Sequence, residues 1–263
     1  MTNPPDPPAM TNLPRPSADE FGPLVRVTTP TGEREVNIYS EEGFRVLAHL
    51  WTRSNWHNRL SYEVTCLGIP IIQLPEDMVV MQELIWKVRP DVIVESGVAH
   101  GGALVLYASI LELLGKGRVI GVDVEIRKYN RLAIEAHPLS HRIELIEGDS
   151  LAEETVRTVR SGIRPGERVL VALDSAHSRE HVLGELKRYA PLVTPNSYVV
   201  VFDAVMALVA DAPTAGEGWD HDNPLEAVRE FLDGNDDFEL DRSYERLAVT
   251  YCQGGFLRRR EAD

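Results

Sequence analysis

The sequence predicts an α/β fold in which helices cover both faces of a doubly wound, mostly parallel sheet. Between residues 91 and 203, short apolar runs of strand length alternate with segments of helical character. This alternation is typical of parallel strands buried under helices on both sides. After residue 222 the rhythm changes to a helix and two strand-like segments, 238–240 and 247–251, joined by a charged turn. These two segments predict a terminal antiparallel pair added to the parallel sheet.

The clearest local unit runs from Asp91 to Asp123. A β-branched apolar run ends on Glu95, a glycine-rich turn follows at residues 96–102, and the apolar segment 103–114 predicts a helix. A second buried run then leads to Asp123. Strand, glycine turn, helix and strand therefore form one βαβ unit with a carboxylate at the end of each strand.

This unit indicates a site for a cofactor that carries a nucleoside. Glycines such as Gly97 and Gly101 let a backbone turn sharply and approach a ligand, the helix N-terminus favours an anionic group, and an acid at the position of Asp123 suits a ribose diol. The spacing from Glu95 to Gly101 departs from the G-x-G-x-x-G of dinucleotide sites. A carboxylate at Glu95 would repel a pyrophosphate but accept hydrogen bonds from an ammonium, so S-adenosylmethionine fits better than NAD. The alternative is a turn that only packs the helix on the sheet.

Three further strands, at residues 143–146, 169–173 and 198–202, also lead to acids, namely Asp149, Asp174 and Asp203. In an open α/β sheet the C-terminal ends of parallel strands line one crevice, where ligands bind. Five carboxylates would meet at that edge: Glu95, Asp123, Asp149, Asp174 and Asp203. Since these negative charges repel one another, we expect a cofactor cation and a bound metal to neutralise them.

The sharpest local signal is the segment in which Asp174 leaves the fourth strand and His177 follows three residues later. Asp174 and Asp203 could hold a hard cation such as Mg²⁺, which would acidify a substrate hydroxyl. His177 could accept the proton as a general base, because histidine ordinarily titrates near neutrality. A structural alternative makes Asp174 a helix N-cap and His177 a surface residue, but it does not explain Asp203. We expect His181, one turn later, to pack on a helix face.

Composition excludes several classes of function. The 263 residues are 43% hydrophobic and 26% charged, and their net charge of −14 disfavours a nucleic-acid or anionic membrane partner. The two cysteines, Cys66 and Cys252, form no pair or Cys/His cluster at metal-binding spacing, which predicts a reducing cytoplasm and no structural zinc. No apolar run has membrane-spanning length, and the N-terminus lacks the apolar segment of a signal peptide.

Three regions are predicted along the chain. Residues 1–20 contain six prolines and predict a disordered arm. Residues 21–90 predict a helical extension, with helices at 41–56 and 76–88, whose Trp51–Trp56 segment could cover the substrate, contact another subunit or pack in the core. Residues 91–263 form the cofactor-binding domain. Within it, the long connection 203–222 is predicted to cover the substrate, and the basic residues 258–260 to be solvated.

Several blocks resemble the cephalosporin hydroxylase family: GIPIIQLPEDMVVMQELIWKVRPDVIVESGVAHGG, GVDVEIRKYNR, LDSAHSREHVL and SYVVVFD. The likeness runs from about residue 39 to residue 260. Despite its name, this family is similar to Rossmann-like class I S-adenosylmethionine-dependent methyltransferases, including rhamnosyl and macrolide-sugar O-methyltransferases. The resemblance implies a homo-oligomer, and it implies cofactor contacts at Glu95, Gly97, Gly101, Asp123 and Asp149.

The resemblance also implies a metal site. In related metal-dependent sugar O-methyltransferases an Asp-x-x-His motif supplies one Mg²⁺ ligand and the base, and here this motif is Asp174 and His177. Those relatives follow it with an adjacent Glu-Asp pair, whereas this chain has Phe202 and Asp203. One ligand is therefore missing, and Asp222 in the long connection could help to close the site.

The sequence therefore predicts a Mg²⁺-assisted, S-adenosylmethionine-dependent O-methyltransferase. The predicted acceptor is a hydroxyl of a small molecule, namely a deoxysugar on a secondary metabolite such as an antibiotic. Two alternatives stay open: an NAD-dependent oxidoreductase, and a noncatalytic cofactor-binding or assembly subunit of a biosynthetic complex.

Overall fold

The structure, a computed structural model, describes residues 22–29 and 32–261, so the predicted arm at residues 1–20 lies outside it. The chain divides into two compact units between Leu50 and Trp51. The first unit contains an antiparallel hairpin of β1 (Leu24–Thr29) and β2 (Gly32–Asn37), followed by the start of helix α1 (Glu41–Asn58). The hairpin was not among the elements predicted for residues 21–90.

Strands and helices alternate through the second unit. In chain order they are β3 (Thr65–Cys66), β4 (Ile69–Pro70), α2 (Pro75–Val88), β5 (Val92–Ser96), α3 (Gly102–Leu114), β6 (Arg118–Asp123), α4 (Lys128–Glu135), β7 (Ile143–Glu147), α5 (Glu153–Ser161), β8 (Val169–Leu173), α6 (Arg179–Tyr189), β9 (Tyr198–Val201), α7 (Pro224–Asp233), β10 (Phe238–Leu240) and β11 (Phe256–Arg259). Among the described residues, no helix is both long and apolar enough to cross a bilayer.

Seven of these strands form one sheet in the order β10-β11-β9-β8-β5-β6-β7. The strands from β5 to β9 are parallel, and β11 runs antiparallel to both of its neighbours. The chain winds outward from β5 to β7 and then returns to place β8 on the other side of β5. This reversal is a topological switch point, where the crevice of a doubly wound sheet opens. The predicted fold class is confirmed.

Alternation along β5 explains how the sheet is covered on both faces. Val92 and Val94 pack with α5, α6 and α7 on one face, whereas Ile93 packs with α2 and α3 on the other. All five residues of β5 and of β8 are buried, as expected for central parallel strands. Glu95 continues this alternation, so its side chain is directed to the α3 face, directly below the crevice.

The terminal antiparallel pair is present, but the prediction of its second strand was wrong. The partner of β10 is β11, not residues 247–251. In that segment the amide of Tyr251 donates to the Asp77 carboxylate of α2 (2.8 Å) instead of joining the sheet. Arg258, predicted to be solvated, is a residue of β11 and donates from Nε to Glu239 Oε1 at 2.9 Å.

Candidate active site

The glycine turn after β5 is packed tightly against the exit of β8. A Cβ at Gly97, whose φ is +95°, would lie 1.9 Å from the carbonyl oxygen of Asp174. At Gly101 (φ +91°), a Cβ would lie 2.3 Å from the Ile134 side chain. We expected these glycines to allow the close approach of a ligand. The structure shows instead that each allows close packing of another part of the protein, namely the Asp174 backbone at Gly97 and the Ile134 side chain at Gly101. Ala99 in the same turn also has a positive φ, 45°, which is strained for a residue with a Cβ.

Asp123 fastens this turn to the end of β6. Its Oδ2 atom accepts hydrogen bonds from the amides of Val98 (2.8 Å) and Ala99 (3.2 Å), and its Oδ1 atom accepts one from Glu125 (3.1 Å). The pairing of β5 with β6 brings the two strand ends together, since Ser96 lies opposite Val122. The acid predicted to contact a ribose therefore lies at the rim of the glycine turn.

Glu95 lies beneath the turn with a fully buried side chain. Within ordinary hydrogen-bond geometry neither carboxylate oxygen has a partner among the described residues, although the hydroxyl of Tyr107 lies beside the group. Burial raises the pKa of Glu95 well above its ordinary value, the Tyr107 hydroxyl opposes this rise, and the negative charge of Asp123 adds to it. A buried carboxyl with so little hydrogen bonding is costly. A ligand that brings an ammonium group to this position would satisfy it, so the residues present fit the predicted cofactor.

Asp174, His177 and Asp203 form a second cluster beside the turn. One ligand atom from each lies within 4.8 Å of the others, and His177 Nε2 is 3.3 Å from Asp203 Oδ2. The backbone places Asp174 here, because its amide donates to the carbonyl of Ser96 at 2.8 Å. Two carboxylates and an imidazole at these distances fit a divalent cation.

Electrostatics in this cluster also favour a cation. Burial raises the pKa of Asp174 well above its ordinary value, and the neighbouring charges of Asp203 and Glu95 raise it further. Burial likewise raises the pKa of Asp203, against the opposing influence of His177. Asp203 is held at φ +54°, which is a strained conformation for a non-glycine residue. These like charges repel one another unless a positive charge compensates them.

The structure rules out the alternative in which Asp174 caps a helix. Helix α6 begins at Arg179, and its N-cap is Ser178, whose side chain accepts from the amide of His181. Asp174 precedes this cap by four residues and is directed into the crevice with His177.

Two cavities meet above the strand ends. One of about 180 Å³ is lined by both the glycine turn and the acid cluster, including Gly97, Gly101, Asp174, His177 and Asp203. The other, of about 220 Å³, is lined by four aromatic rings, namely Trp56, Tyr62, Trp219 and Tyr251, together with polar residues that include Arg59. Trp56 packs edge-on against Trp219 and Tyr251, with ring centroids 5.7 and 5.0 Å apart. Asp203 and Tyr62 line both cavities, so a ligand in one would adjoin a ligand in the other.

Residues 58–260, most of the chain, match the family described as Rhamnosyl O-methyltransferase/CmcI. The chain belongs to the rhamnosyl O-methyltransferase/CmcI family. This match confirms the family predicted from the sequence blocks. Together with the fold, it confirms the predicted class of enzyme, an S-adenosylmethionine-dependent methyltransferase.

Curated relatives in this family match about four fifths of the chain. A rhamnosyl O-methyltransferase of Mycobacterium leprae (strain TN) is 29% identical over 222 residues, covering 81% of this chain and 89% of its own. One of Mycobacterium tuberculosis (strain ATCC 25618 / H37Rv) is 28% identical over 212 residues, covering 80% and 82%. Both are similar to this chain along most of their length.

Solved structures support the fold. The CmcI-N160 apo-structure has a TM-score of 0.55 at 21% identity and covers 76% of this chain and 78% of its own. The structure of cofactor-bound Rv0187 from MTB has a TM-score of 0.53 at 15% identity and covers 86% and 94%. At such identities the likeness shows the fold alone.

Three of the residues discussed from the sequence lie outside the acid cluster. Asp149 is exposed, and its Oδ1 accepts the amide of Leu151 at 2.9 Å. Phe202 is 2% exposed and packs in the core, so it offers no oxygen in place of the Glu of the metal-dependent relatives. Asp222 accepts the amide of Arg179 (2.6 Å) instead of joining Asp174, His177 and Asp203.

Sequence reasoning missed Gln73 and Tyr251, and it reached Trp219 only as part of the 203–222 connection predicted to cover the substrate. Gln73 is 2% exposed and lines the smaller cavity, where its amide lies beside Tyr107 and Asp174 and opposes the rise in the pKa of both. No residue spacing in the sequence marks these three positions. Their place at the site depends on the fold.

Proposed function

We propose that the protein transfers the methyl group of S-adenosylmethionine to a hydroxyl of a sugar-bearing small molecule with the assistance of Mg²⁺. The observation that carries this proposal is that Asp174, His177 and Asp203 line the same cavity as the glycine turn. The mycobacterial relatives are named rhamnosyl O-methyltransferases, which supports a sugar hydroxyl as the acceptor. The finer proposal is a deoxysugar on a secondary metabolite such as an antibiotic.

Four features of the chain would hold the cofactor. The buried Glu95 carboxylate would face the ammonium of its amino-acid end, and the turn through Gly97 and Gly101 would lie along it. Asp123 would accept hydrogen bonds from the ribose, and we assign the exposed Asp149 to the adenine end. Bound there, S-adenosylmethionine supplies an activated methyl group on a sulfonium, so the protein's main task is positioning.

Asp174 and Asp203 would hold the metal ion. A solved CmcI structure described as Mg-SAM shares this fold, with a TM-score of 0.54 at 20% identity. A divalent cation would supply positive charge that favours ionisation of a nearby hydroxyl. Because Phe202 provides no third carboxylate, we expect weaker Mg²⁺ binding than at a site with three acids. Asp203 contacts Nε2 of His177 and orients the ring, so the other ring nitrogen, Nδ1, would accept the hydroxyl proton.

The aromatic cavity is the proposed acceptor site. Flat aromatic rings suit the apolar faces of a deoxysugar, and an acceptor bound there would adjoin the acid cluster, since Asp203 lines both cavities. Trp219 belongs to the 203–222 connection, which supports a covering role for that segment.

We retain two further predictions, that residues 91–263 form the cofactor-binding domain and that the chain assembles as a homo-oligomer. Size-exclusion chromatography with light scattering tests the assembly.

The proposal is tested with purified protein and S-adenosylmethionine labelled with ¹³C in its methyl group. The acceptors are rhamnosides and macrolides that carry deoxysugars, assayed with EDTA and then with added Mg²⁺. We expect S-adenosylhomocysteine to form together with a labelled O-methyl group, which NMR distinguishes from an N- or C-methyl group. Calorimetry that detected no binding of S-adenosylhomocysteine by the protein would overturn the proposal.

A further inference from the structure

His181 lies between the turns that follow β7 and β8. Its Nε2 atom is 3.2 Å from the hydroxyl of Ser150 on one turn and 3.1 Å from the hydroxyl of Ser175 on the other. We predicted that His181 packs on a helix face, and the structure corrects this, because its ring makes polar contacts to two loops. Ser150 directly follows Asp149, and Ser175 directly follows Asp174.

The buried carboxylate of Glu185 contacts both this histidine and the hydroxyl of Ser175. Glu185 Oε1 accepts a hydrogen bond from Ser175 Oγ at 2.8 Å and lies 3.4 Å from His181 Nε2. Glu185 is fully buried, and its second oxygen has no partner among the described residues. The hydrogen bond to Glu185 raises the pKa of His181, and the charge of Asp149 adds to the rise. A buried carboxylate here therefore favours a proton on the imidazole.

The same helix also holds the Ser150 turn through a third contact. The hydroxyl of Tyr189 donates to the carbonyl oxygen of Ser150 at 2.9 Å, and the Ser150 side chain is buried. Helix α6 thus contacts one turn that we assign to the cofactor and the turn that carries a metal ligand. Because the Nε2 atom of His181 contacts hydroxyls on both turns, displacement of either turn disturbs its contact to the other.

We propose that His181, supported by Glu185, is a positioning residue that couples cofactor binding at the Asp149 turn to metal binding at the Asp174 turn. The inference rests on the proposed function, which assigns a ligand to each turn. A ligand that orders one turn then lowers the cost of ordering the other, and such coupling is reciprocal. His181 itself does not need to touch the cofactor, the metal or the acceptor.

The test is calorimetric titration of S-adenosylhomocysteine into wild-type protein and variants, in Mg²⁺ and in EDTA. We expect the wild type to bind more tightly in Mg²⁺. In His181→Phe the difference between Mg²⁺ and EDTA disappears, and binding in Mg²⁺ weakens about tenfold, which is the usual effect of losing a charge-assisted hydrogen bond. His181→Gln keeps an N–H donor on a side chain of similar reach and should restore most of the Mg²⁺ dependence.

His141→Phe is the matched control. Its Nε2 atom also lies near a carboxylate, 3.1 Å from Glu112 Oε2, but on an exposed surface away from both turns. This variant should bind as the wild type does. Melting temperatures establish that each variant is folded. If His181→Phe does not fold, Ser150→Ala and Ser175→Ala replace it, and each should remove the Mg²⁺ dependence.

Two results would overturn the inference alone. In the first, the wild type binds S-adenosylhomocysteine with equal affinity in Mg²⁺ and in EDTA. In the second, the variants at residues 181, 150 and 175 keep the wild-type difference between these two affinities. Either result leaves methyl transfer by the wild type intact. A wild type that does not bind S-adenosylhomocysteine overturns the proposed function, and the coupling with it.

Discussion

The Nε2 atom of His177 lies 3.3 Å from the Oδ2 atom of Asp203, so that the exits of β8 and β9 meet in one histidine–carboxylate pair. The imidazole is thereby held at the wall of the cavity that also contains the glycine turn. A base fixed in this way needs little reorganisation before it accepts a proton, and this relationship leads to the first prediction.

His177→Ala should reduce methyl transfer by at least about 100-fold, because general-base catalysis typically contributes that much. Binding of S-adenosylhomocysteine should change little. The control is His141→Ala, which removes another histidine paired with a carboxylate (Nε2 to Glu112 Oε2, 3.1 Å) on an exposed surface. Single-turnover rates and calorimetry provide both measurements. Wild-type turnover in His177→Ala would favour the noncatalytic alternative that the sequence left open.

Chelation by EDTA should lower turnover, and Mg²⁺ should restore it. Asp174→Asn should need more Mg²⁺ for half-maximal turnover, since one of two carboxylates is lost. In EDTA the same variant should melt at a higher temperature than the wild type, because burial and the charges of Asp203 and Glu95 already raise the pKa of Asp174. Titration of Mg²⁺ followed by turnover and by melting temperature checks both effects. An unchanged Mg²⁺ requirement in Asp174→Asn would contradict the assignment.

Glu95→Gln should stabilise the ligand-free protein and weaken S-adenosylhomocysteine binding about tenfold or more. Because burial raises the pKa of Glu95 well above its ordinary value, folding opposes ionisation of this acid, and the neutral amide removes that cost. The amide also removes the charge that would pair with an ammonium. Glu125→Gln is the control on an exposed side chain. Urea denaturation and calorimetry measure the two effects. Tight binding retained by Glu95→Gln would place the ammonium elsewhere.

Gly97→Ala and Gly166→Ala separate backbone strain from steric overlap. Both glycines have positive φ, +95° and +86°, but a Cβ at Gly166 meets nothing within 4 Å, whereas one at Gly97 would lie 1.9 Å from the Asp174 carbonyl oxygen. The Gly166 change should cost about 1 kcal/mol of unfolding free energy. The Gly97 change should cost clearly more, since the exit of β8 must move. If urea denaturation gave the same loss of unfolding free energy for both variants, the backbone around Gly97 would be able to shift at little cost.

Stability should fall as the pH rises from about 4 to 7 because of Asp77. Burial raises its pKa to about 7, against the hydrogen bonds from Thr250 and Tyr251. Across this range the folded protein holds a proton on Asp77 that the unfolded chain has lost, so the free energy of unfolding decreases with pH. At 1.36 kcal/mol per pKa unit, the total is on the order of 4 kcal/mol.

Asp77→Asn should therefore reduce the difference between the unfolding free energies at pH 5 and pH 8. Asp236→Asn, on an exposed side chain, should leave this difference unchanged. Urea denaturation at the two pH values gives the comparison. An identical pH dependence in Asp77→Asn and wild type would assign the effect to other groups.

The sheet could be predicted because its evidence is local. Each central strand is a short apolar run, and the acids at the C-terminal ends of β5, β6, β8 and β9 stand in or directly after those runs in the sequence. The second terminal strand was missed because residues 247–251 have the apolar character of a strand but bond to Asp77, while β11 consists of two apolar residues followed by two arginines. Its pairing depends on Gly255, where a Cβ would lie 2.1 Å from the carbonyl oxygen of Val201.

The acid cluster was accessible from the sequence, whereas for the acceptor cavity only two covering segments, Trp51–Trp56 and residues 203–222, could be suggested. Asp174, His177 and Asp203 belong to chemically distinctive residue types at strand ends. Trp219 and Tyr251 are brought together only by the tertiary fold, from a long connection and from the loop before β11. Gln73 has no local signal at all, because its burial follows from the packing of the segment before α2.

The position of β11 affects how the protein is made. This strand is the last in the described chain, yet it lies between β9 and β10 inside the sheet. During synthesis, β9 therefore keeps an open edge until residues 256–259 have left the ribosome. Exposed edges of this kind invite association between nascent chains. Ribosome-bound chains in which residues 256–259 have not yet emerged should accordingly bind chaperones. The chaperones should dissociate when β11 emerges and pairs with β9.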